Sequence, residues 1–172
     1  MYYTEFPTRF WPVVLVGDAG GISHLHMETN EGKRTFTINT DWKRDDALFA
    51  DVRQQVQAYL DGSLRVFDVN LNLQGTPFQQ RVWDALLTIP YGEIRTYKDI
   101  AVSIGKPSAA RAVGMANGKN PIPLIVPCHR VIGQQGSLAG FAHGVAAKKQ
   151  LLVLEGALDA ADKVLPLFRD GA

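Results

Sequence analysis

The pattern of apolar and polar residues divides the chain into a β-rich first half and a helical second half. Residues 13–16 are a β-branched run that ends at a glycine-rich turn, which predicts a strand. Between residues 47 and 61, apolar side chains recur at spacings of three and four, which predicts an amphipathic helix that Gly62 closes. Other short apolar runs predict further strands at 22–27, 35–38 and 66–73. We therefore expect a small antiparallel sheet with one helix.

The second half opens with a helix start signal. Thr76 as N-cap, Pro77 at the first helical position and Gln79 three residues after the cap form a capping box, so a helix is expected to follow as far as Thr88. Later patterns predict three more helices, at 96–105, 108–118 and 144–154. The first two of these are separated by a tight glycine-containing turn, which is typical of a helix-turn-helix.

These patterns predict an α+β fold with two domains. We expect residues 1–75 to form the sheet domain, residues 76–158 to form a mostly helical domain with the helix-turn-helix, and residues 159–172 to form a tail that needs no ordered structure. A length of 172 residues suits such an arrangement. With 46% hydrophobic and 20% charged residues, the chain is globular and not disordered. No run approaches the roughly 18 apolar residues of a membrane span, so no membrane partner is expected.

The N-terminal residues bear on the compartment of the protein, and the cysteine count bears on the disulfides and metal sites that it can form. Residues 1–5 have neither the basic nor the apolar region of a secretion signal, so we expect a cytoplasmic protein. The single cysteine, Cys128, excludes an internal disulfide framework and a multi-cysteine metal cluster. His24 and His26 share one face of a predicted strand, as a metal pair would. Because no cysteine or acidic residue stands at a suitable spacing, we expect a surface strand and no metal there.

Positive charge is concentrated in one block. Residues 77–154 contain nine Lys or Arg against three Asp or Glu, whereas residues 1–76 contain seven against ten. A basic block of this size is typical of a protein that binds nucleic acid, although a solvated lysine-rich face gives a similar count.

The strongest chemical signal is Cys128 followed by His129. An apolar segment at residues 122–126, expected to be a strand, leads into Pro127 and then into this pair. A thiol attacks carbon as a thiolate, which a neighbouring base or cation produces. Because adjacent side chains of an extended chain point to opposite faces, the pair can act together only if the backbone turns at Pro127. Glu155 is a second signal, since a carboxylate at the C-terminal end of a helix is unfavourable unless another group holds it.

The motif and its flanks resemble a known family. Pro-Cys-His-Arg-Val at 127–131, preceded by Gly-Lys-Asn-Pro at 118–121 and Ala-Ala-Arg-Ala-Val-Gly at 109–114, is similar to the signature of the O6-alkylguanine-DNA alkyltransferases, the methylated-DNA–protein-cysteine methyltransferases. The similarity runs without a gap over residues 78–156. The first half resembles the family's ribonuclease-H-like domain only in its order of elements.

The resemblance implies a DNA-repair protein that acts once. It would flip O6-alkylguanine, or O4-alkylthymine, out of duplex DNA and keep the alkyl group irreversibly on Cys128, with no cofactor. His129 would act as the base for the thiol through a bridging water, and Glu155 would hold the imidazole. Tyr97 would help to rotate the nucleotide and contact the guanine, and Asn120 would brace the turn before the active cysteine.

The resemblance also implies a DNA surface and a pocket. Arg111 would fill the space of the flipped base while its helix lies in the minor groove. The other residues of this surface are Ser108, Ala110, Ala112 and Gly114. The expected substrate pocket contains Cys128, Met115, Val131, Phe141 and Ala142. The sequence departs from the usual family pattern at Phe141, where a tyrosine is common, so a hydroxyl contact is absent and the preferred alkyl size stays open.

Three other interpretations fit parts of the pattern. A non-catalytic damage sensor of the alkyltransferase-like type would carry tryptophan in place of Cys128. A transcription regulator that uses the helix-turn-helix alone would leave the thiol and Glu155 unexplained. A cysteine hydrolase would turn over many times and ignore DNA. The expected partner is double-stranded DNA bearing O6-alkylguanine, bound by a monomer.

Overall fold

The first half of the computed structural model, which describes residues 1–138 and 140–159, is a four-stranded sheet with one helix. The strands are β1 (Tyr2–Phe6), β2 (Val13–Asp18), β3 (Gly21–Met27) and β4 (Lys43–Arg44), in the order β3-β2-β1-β4. β2 pairs antiparallel with both β1 and β3, whereas β4 runs parallel to β1. The sheet is therefore mixed and not purely antiparallel as expected.

The strands predicted at 13–16 and 22–27 are confirmed as β2 and β3. The predicted helix is also confirmed as α1 (Ala50–Leu60), and Gly62 follows its end with a φ of +85°. It starts later than expected, because residues before Ala50 form a turn in which Asp45 accepts a hydrogen bond from the Leu48 amide at 3.1 Å. β1 was not predicted from the sequence.

The strands predicted at 35–38 and 66–73 are wrong. Residues 35–38 are irregular, and the amides of Lys33 and Arg34 just before them donate to the Ala142 carbonyl, far along the chain. In the second segment only Leu71 pairs with β3, through a single bridge to Ile22. Alternating apolar residues indicate a half-buried segment, but a strand also needs a paired neighbour along its length.

The second half is helical, as predicted. Its helices are α2 (Pro77–Leu86), α3 (Tyr97–Ser103), α4 (Ala110–Gly118) and α5 (Val145–Leu154). Capping boxes at Thr76 and Thr96 start α2 and α3. The first box, and a helix start at residue 96, were predicted from the sequence. Gly105, with a φ of +76°, follows α3 and lets the chain turn into α4. α3 and α4 pack against each other and against α2, as a helix-turn-helix requires.

One apolar core joins the two halves. It contains Leu15 and Tyr59 from the first half together with Val82, Trp83 and Val113 from the second, all at most 2% exposed. The Trp83 indole nitrogen donates to the Ala116 carbonyl at 3.0 Å, which fixes α2 against α4. No helix within residues 1–138 and 140–159 is long and apolar enough to cross a membrane.

Two short parallel strands, β5 (Arg95–Thr96) and β6 (Val131–Ile132), set the position of the cysteine motif. β5 leads directly into α3, and β6 follows directly after the motif. Their pairing therefore brings the start of α3 next to residues 128–130.

Candidate functional site

The chain turns sharply where Cys128 and His129 lie. Residues 122–126 form a tight turn and not the expected strand, with Leu124 at a φ of +78°. Asn120 braces this turn, since its side-chain nitrogen donates to the Val126 carbonyl at 2.8 Å and its side-chain oxygen accepts from the Ile122 amide at 2.9 Å. Cys128 then begins one turn of 3₁₀ helix. The predicted bend at Pro127 is thus present.

Glu155 is buried and held by four groups. It accepts hydrogen bonds from His129 Nε2 at 2.8 Å and from Arg130 at 2.8 and 2.9 Å. The Gly92 amide donates at 3.1 Å, and the Tyr59 hydroxyl donates as well. The position of Glu155 at a helix end predicts that other groups hold its carboxylate, and these four partners confirm that prediction. Together they hold Glu155 at the C-terminal end of α5, where the helix dipole alone would disfavour a carboxylate.

This arrangement determines which nitrogen of His129 can act as a base. A carboxylate only accepts hydrogen bonds, so Nε2, which faces Glu155, carries the proton. Nδ1 then keeps its lone pair. It is buried and has no hydrogen-bond partner among the residues that the structure describes. Nδ1 is therefore the nitrogen that can accept a proton.

The charge states suit this role. Burial lowers the pKa of His129, against the raising effect of Glu155, so its imidazole is neutral near neutral pH. Burial alone would raise the pKa of Glu155, but His129 and Arg130 hold it well below its usual range. A neutral base is thus fixed by an ionised carboxylate, as in hydrolase triads.

The surroundings of Cys128 shift the pKa of its thiol in both directions. The residue is only 4% exposed, and burial raises the pKa of its thiol. A hydrogen bond from Asn120 and the positive charges of Lys148 and Arg34 oppose this shift. The Asn117 side chain donates to the Cys128 carbonyl at 3.3 Å. The site therefore offers charge stabilisation to a thiolate that burial alone would disfavour.

The segment around Phe141 covers the thiol. A narrow cavity beside Cys128 is lined by Arg34, Asn120, Gly140, Phe141, Ala142 and His143, among others. Tyr97 reaches this cavity, because a Cβ added at Gly140 would lie 3.7 Å from its hydroxyl. The first half of the chain clamps this segment through the Ala142 carbonyl, which accepts from the Lys33 and Arg34 amides at 3.1 and 3.2 Å.

Two expected pocket residues do not line the narrow cavity beside Cys128. Met115 is 66% exposed on α4, one turn after Arg111, and the side chain of α4 that reaches the Cys128 backbone is Asn117 instead. Val131 is buried in β6, directly after the motif, where it pairs with Arg95. The structure thus corrects the pocket at Met115, because the helical spacing puts that residue on the outer face of α4.

The predicted DNA surface lies on the outside of the second half. Arg111 and Ala112 are exposed on α4, and Ser108 is exposed just before it. Ala110 and Gly114 are half-buried, and a Cβ added at Gly114 would lie 3.9 Å from the Tyr97 ring. Tyr97 therefore touches both this helix and the cavity beside Cys128.

Several residues of the site were not predicted. Arg130 follows His129 in the motif, but its bidentate contact with Glu155 needs the three-dimensional fold. Tyr59 and Arg34 come from the first half, where no local pattern indicates them. Lys148 had a detectable signal, since it precedes Glu155 by seven residues and therefore shares the buried face of α5.

His26 differs from its expected position on a surface strand. It is buried, it stacks on Phe36 at 5.1 Å between ring centroids, and it lies 5.3 Å from the His143 ring. The loop around Phe36 and the segment around His143 cover this edge of β3. Within the described parts of the chain, no three His, Cys, Asp or Glu side chains are grouped as a metal site.

The chain matches two family models and close relatives. The ribonuclease-like domain of 6-O-methylguanine DNA methyltransferase matches residues 1–73, and the DNA binding domain matches residues 77–157. A methylated-DNA–protein-cysteine methyltransferase of Methanosarcina barkeri is 49% identical over 155 residues, which cover 90% of this chain and 97% of that protein. A crystal structure of Mycobacterium tuberculosis OGT in complex with DNA is 48% identical, covers 94% of this chain and 97% of that chain, and has a TM-score of 0.83. These matches confirm the resemblance found in the sequence, and the chain belongs to the 6-O-methylguanine DNA methyltransferase family.

Proposed function

We propose that this protein flips O6-alkylguanine out of duplex DNA and transfers the alkyl group to Cys128, once per molecule. The observation that carries the proposal is a buried thiol followed in the chain by a buried, neutral imidazole. The Nδ1 atom of this imidazole is unpartnered among the described residues, and Glu155 fixes its Nε2 atom. A buried thiol that faces fixed charges suits a substrate that enters the protein by leaving a base stack.

The transfer is a displacement at the alkyl carbon. The thiol proton passes to His129 Nδ1 through a bridging water, and the thiolate attacks the alkyl carbon. A carbon–sulfur bond forms, the bond from that carbon to guanine O6 breaks, and its electron pair stays on the guanine. The base then takes up a proton, with Tyr97 as the donor near the cavity. The thioether is stable, and Cys128 is the single cysteine of the chain, so the reaction ends there.

DNA would bind on the exposed face of α4. The helix is rich in small residues, which allows close approach to the minor groove, and Arg111 projects from it as the cation that replaces the flipped base. The basic block around this helix supplies sequence-independent affinity for phosphates. A relative at 48% identity was solved in complex with DNA, which supports this partner. We propose that the protein works as a cytoplasmic monomer.

The test is intact-protein mass spectrometry after incubation with duplex DNA containing O6-methylguanine. We expect the mass of one methyl group on Cys128, saturating at one per chain. Cys128→Ala should gain no mass and still bind the duplex, because phosphate contacts and not the thiol supply affinity. Repeated turnover without a mass increase would indicate a hydrolase and overturn the proposal.

A further inference from the structure

A lysine is fully buried next to the active cysteine. Lys148 on α5 has no exposed surface, and its ammonium nitrogen has no hydrogen-bond partner among the residues that the structure describes. Burying an ammonium without a partner is strongly unfavourable, so such a lysine is either neutral or faces a compensating charge. The proposed mechanism above assigns it no role.

Two aromatic rings lie near this nitrogen, and one of them, Phe141, also lines the cavity beside Cys128. The nitrogen lies 5.9 Å from the ring centroids of both Tyr97 and Phe141, which are weak partners for a cation. The titratable group that stabilises its charge is Cys128, in the thiolate form. Glu155 is already held by Arg130 and His129.

We propose that the Lys148 ammonium is the buried counter-charge of the Cys128 thiolate, and that alkylation of Cys128 leaves this ammonium uncompensated. Only the second part of this proposal, the effect of alkylation, rests on the proposed function. Burial lowers the pKa of Lys148 to about 8, and the thiolate acts in the opposite direction. Lys148 is therefore mostly protonated near neutral pH and can act there as the counter-charge of the thiolate.

The neighbouring charges define how the pair titrates. Arg34 also stabilises the thiolate, from the first half of the chain. Burial is the main reason that His129 stays neutral, and Lys148 adds to this effect. Burial first, and then the thiolate, raise the pKa of Tyr97. When the sulfur becomes a thioether, its negative charge leaves with the guanine. Lys148 then faces only rings and like charges, so it either loses its proton to solvent or destabilises the fold.

The first experiment measures the thiol without any DNA. The thiolate absorbance of the single cysteine is followed from about pH 5 to about pH 10 in the full chain, together with its rate of alkylation by iodoacetamide. We expect Lys148→Met to raise the apparent pKa of the thiol by about one unit, which means about tenfold less thiolate at neutral pH. Lys148→Arg should restore most of the effect. Lys149→Met removes the same charge from the next residue of α5 and is the matched control.

The second experiment measures the product. Wild-type protein and Lys148→Met are alkylated with free O6-benzylguanine and melted beside the unmodified forms. We expect alkylation to lower the melting temperature of wild-type protein more than that of Lys148→Met. Lys148→Gln serves if the methionine variant does not fold.

The outcomes separate this inference from the proposed function. A folded Lys148→Met or Lys148→Gln variant with the wild-type thiol titration, or with the wild-type alkylation shift, overturns the inference while repair by wild-type protein stands. Wild-type protein that gains no alkyl group from damaged DNA overturns the proposed function, and the iodoacetamide titration still decides whether Lys148 faces the thiolate.

Discussion

Breaking the contact between Arg130 and Glu155 should destabilise the protein strongly. Arg130 donates to both oxygens of Glu155, at 2.8 and 2.9 Å, and to the Ile89 carbonyl at 2.7 Å. Both side chains are nearly excluded from solvent. Arg130→Met keeps most of the volume but leaves a buried carboxylate without its strongest partner.

The magnitude follows from this burial. Removing one partner of a buried ion pair costs about 3–5 kcal/mol, and Glu155 keeps Tyr59, Gly92 and His129, so we expect the lower end, about 3 kcal/mol. This is a large part of an ordinary stability of about 5–15 kcal/mol. Arg130→Lys should recover only part of the loss, because an ammonium cannot bind both carboxylate oxygens in the same plane.

A double-mutant cycle isolates the pair. Urea unfolding would be measured for Arg130→Met, Glu155→Gln and the double variant. We expect the double variant to lose less than the two single losses added together, by about 1–3 kcal/mol, since it buries no unpaired charge. Additive losses, or an Arg130→Met variant within about 0.5 kcal/mol of wild type, would refute the reasoning.

The same pair predicts how stability depends on pH. The folded pKa of Glu155 is lower than its unfolded value. Its contribution to stability is therefore complete above the ordinary carboxyl pKa of 4.5 and is lost progressively as the pH falls from there towards the folded pKa. Arg130 is one of the groups that keep this pKa low. In Arg130→Met, acid unfolding should therefore begin at a higher pH than in wild type, as followed by circular dichroism.

Three further changes test other parts of the site. Arg111→Ala should slow repair of duplex DNA more than reaction with free O6-benzylguanine, because the free base needs no flipping; equal losses would mean that Arg111 supports the fold. Gly32→Ala should slow both reactions, since Gly32 has a φ of +80° and a Cβ there would clash with the Ala142 carbonyl oxygen. Gly118→Ala, where an added Cβ meets open space, is the control. Burial first, and then Arg34, lower the pKa of His143 to about 3. Between pH 6.5 and 3 the unfolded chain therefore binds a proton at His143 that the folded protein does not, and stability should fall as the pH drops through this range. The fall should be less steep in His143→Gln. Identical acid titrations of the two proteins would contradict this.

The helical half was largely predictable because its signals are local. The capping boxes at Thr76 and Thr96, Gly105 after α3 and Gly118 as the last residue of α4 act within one or two turns of helix. They appear in the structure where the sequence places them. The sheet was less predictable, since pairing depends on distant residues. β4 is only two residues long and pairs with β1 from across the domain, and nothing within Lys43 and Arg44 indicates a strand.

The residues of the candidate site likewise divide into those that the sequence indicated and those that it misplaced or missed. Cys128, His129 and Glu155 were found because their residue types are unusual for their positions in the chain. Met115 was placed in the pocket by resemblance, and its helical phase puts it on the surface instead. Lys148 was overlooked because a lysine in a helix is usually solvated, although its spacing of seven residues from Glu155 places both residues on one face of α5.

The first half of the chain takes part in the site and does more than support it. Tyr59 of α1 donates to Glu155, and Arg34 donates to the carbonyls of Gly118 and Asn120 at 2.5 and 2.6 Å. The first contact fixes the carboxylate that orients His129. The second holds the end of α4 against the turn that carries Cys128. Because both donors are distant in sequence from the cysteine motif, the motif alone cannot set the pKa of its own thiol and imidazole. The chemistry of residues 127–131 therefore depends on contacts from the first half of the chain, where no local sequence pattern indicates them.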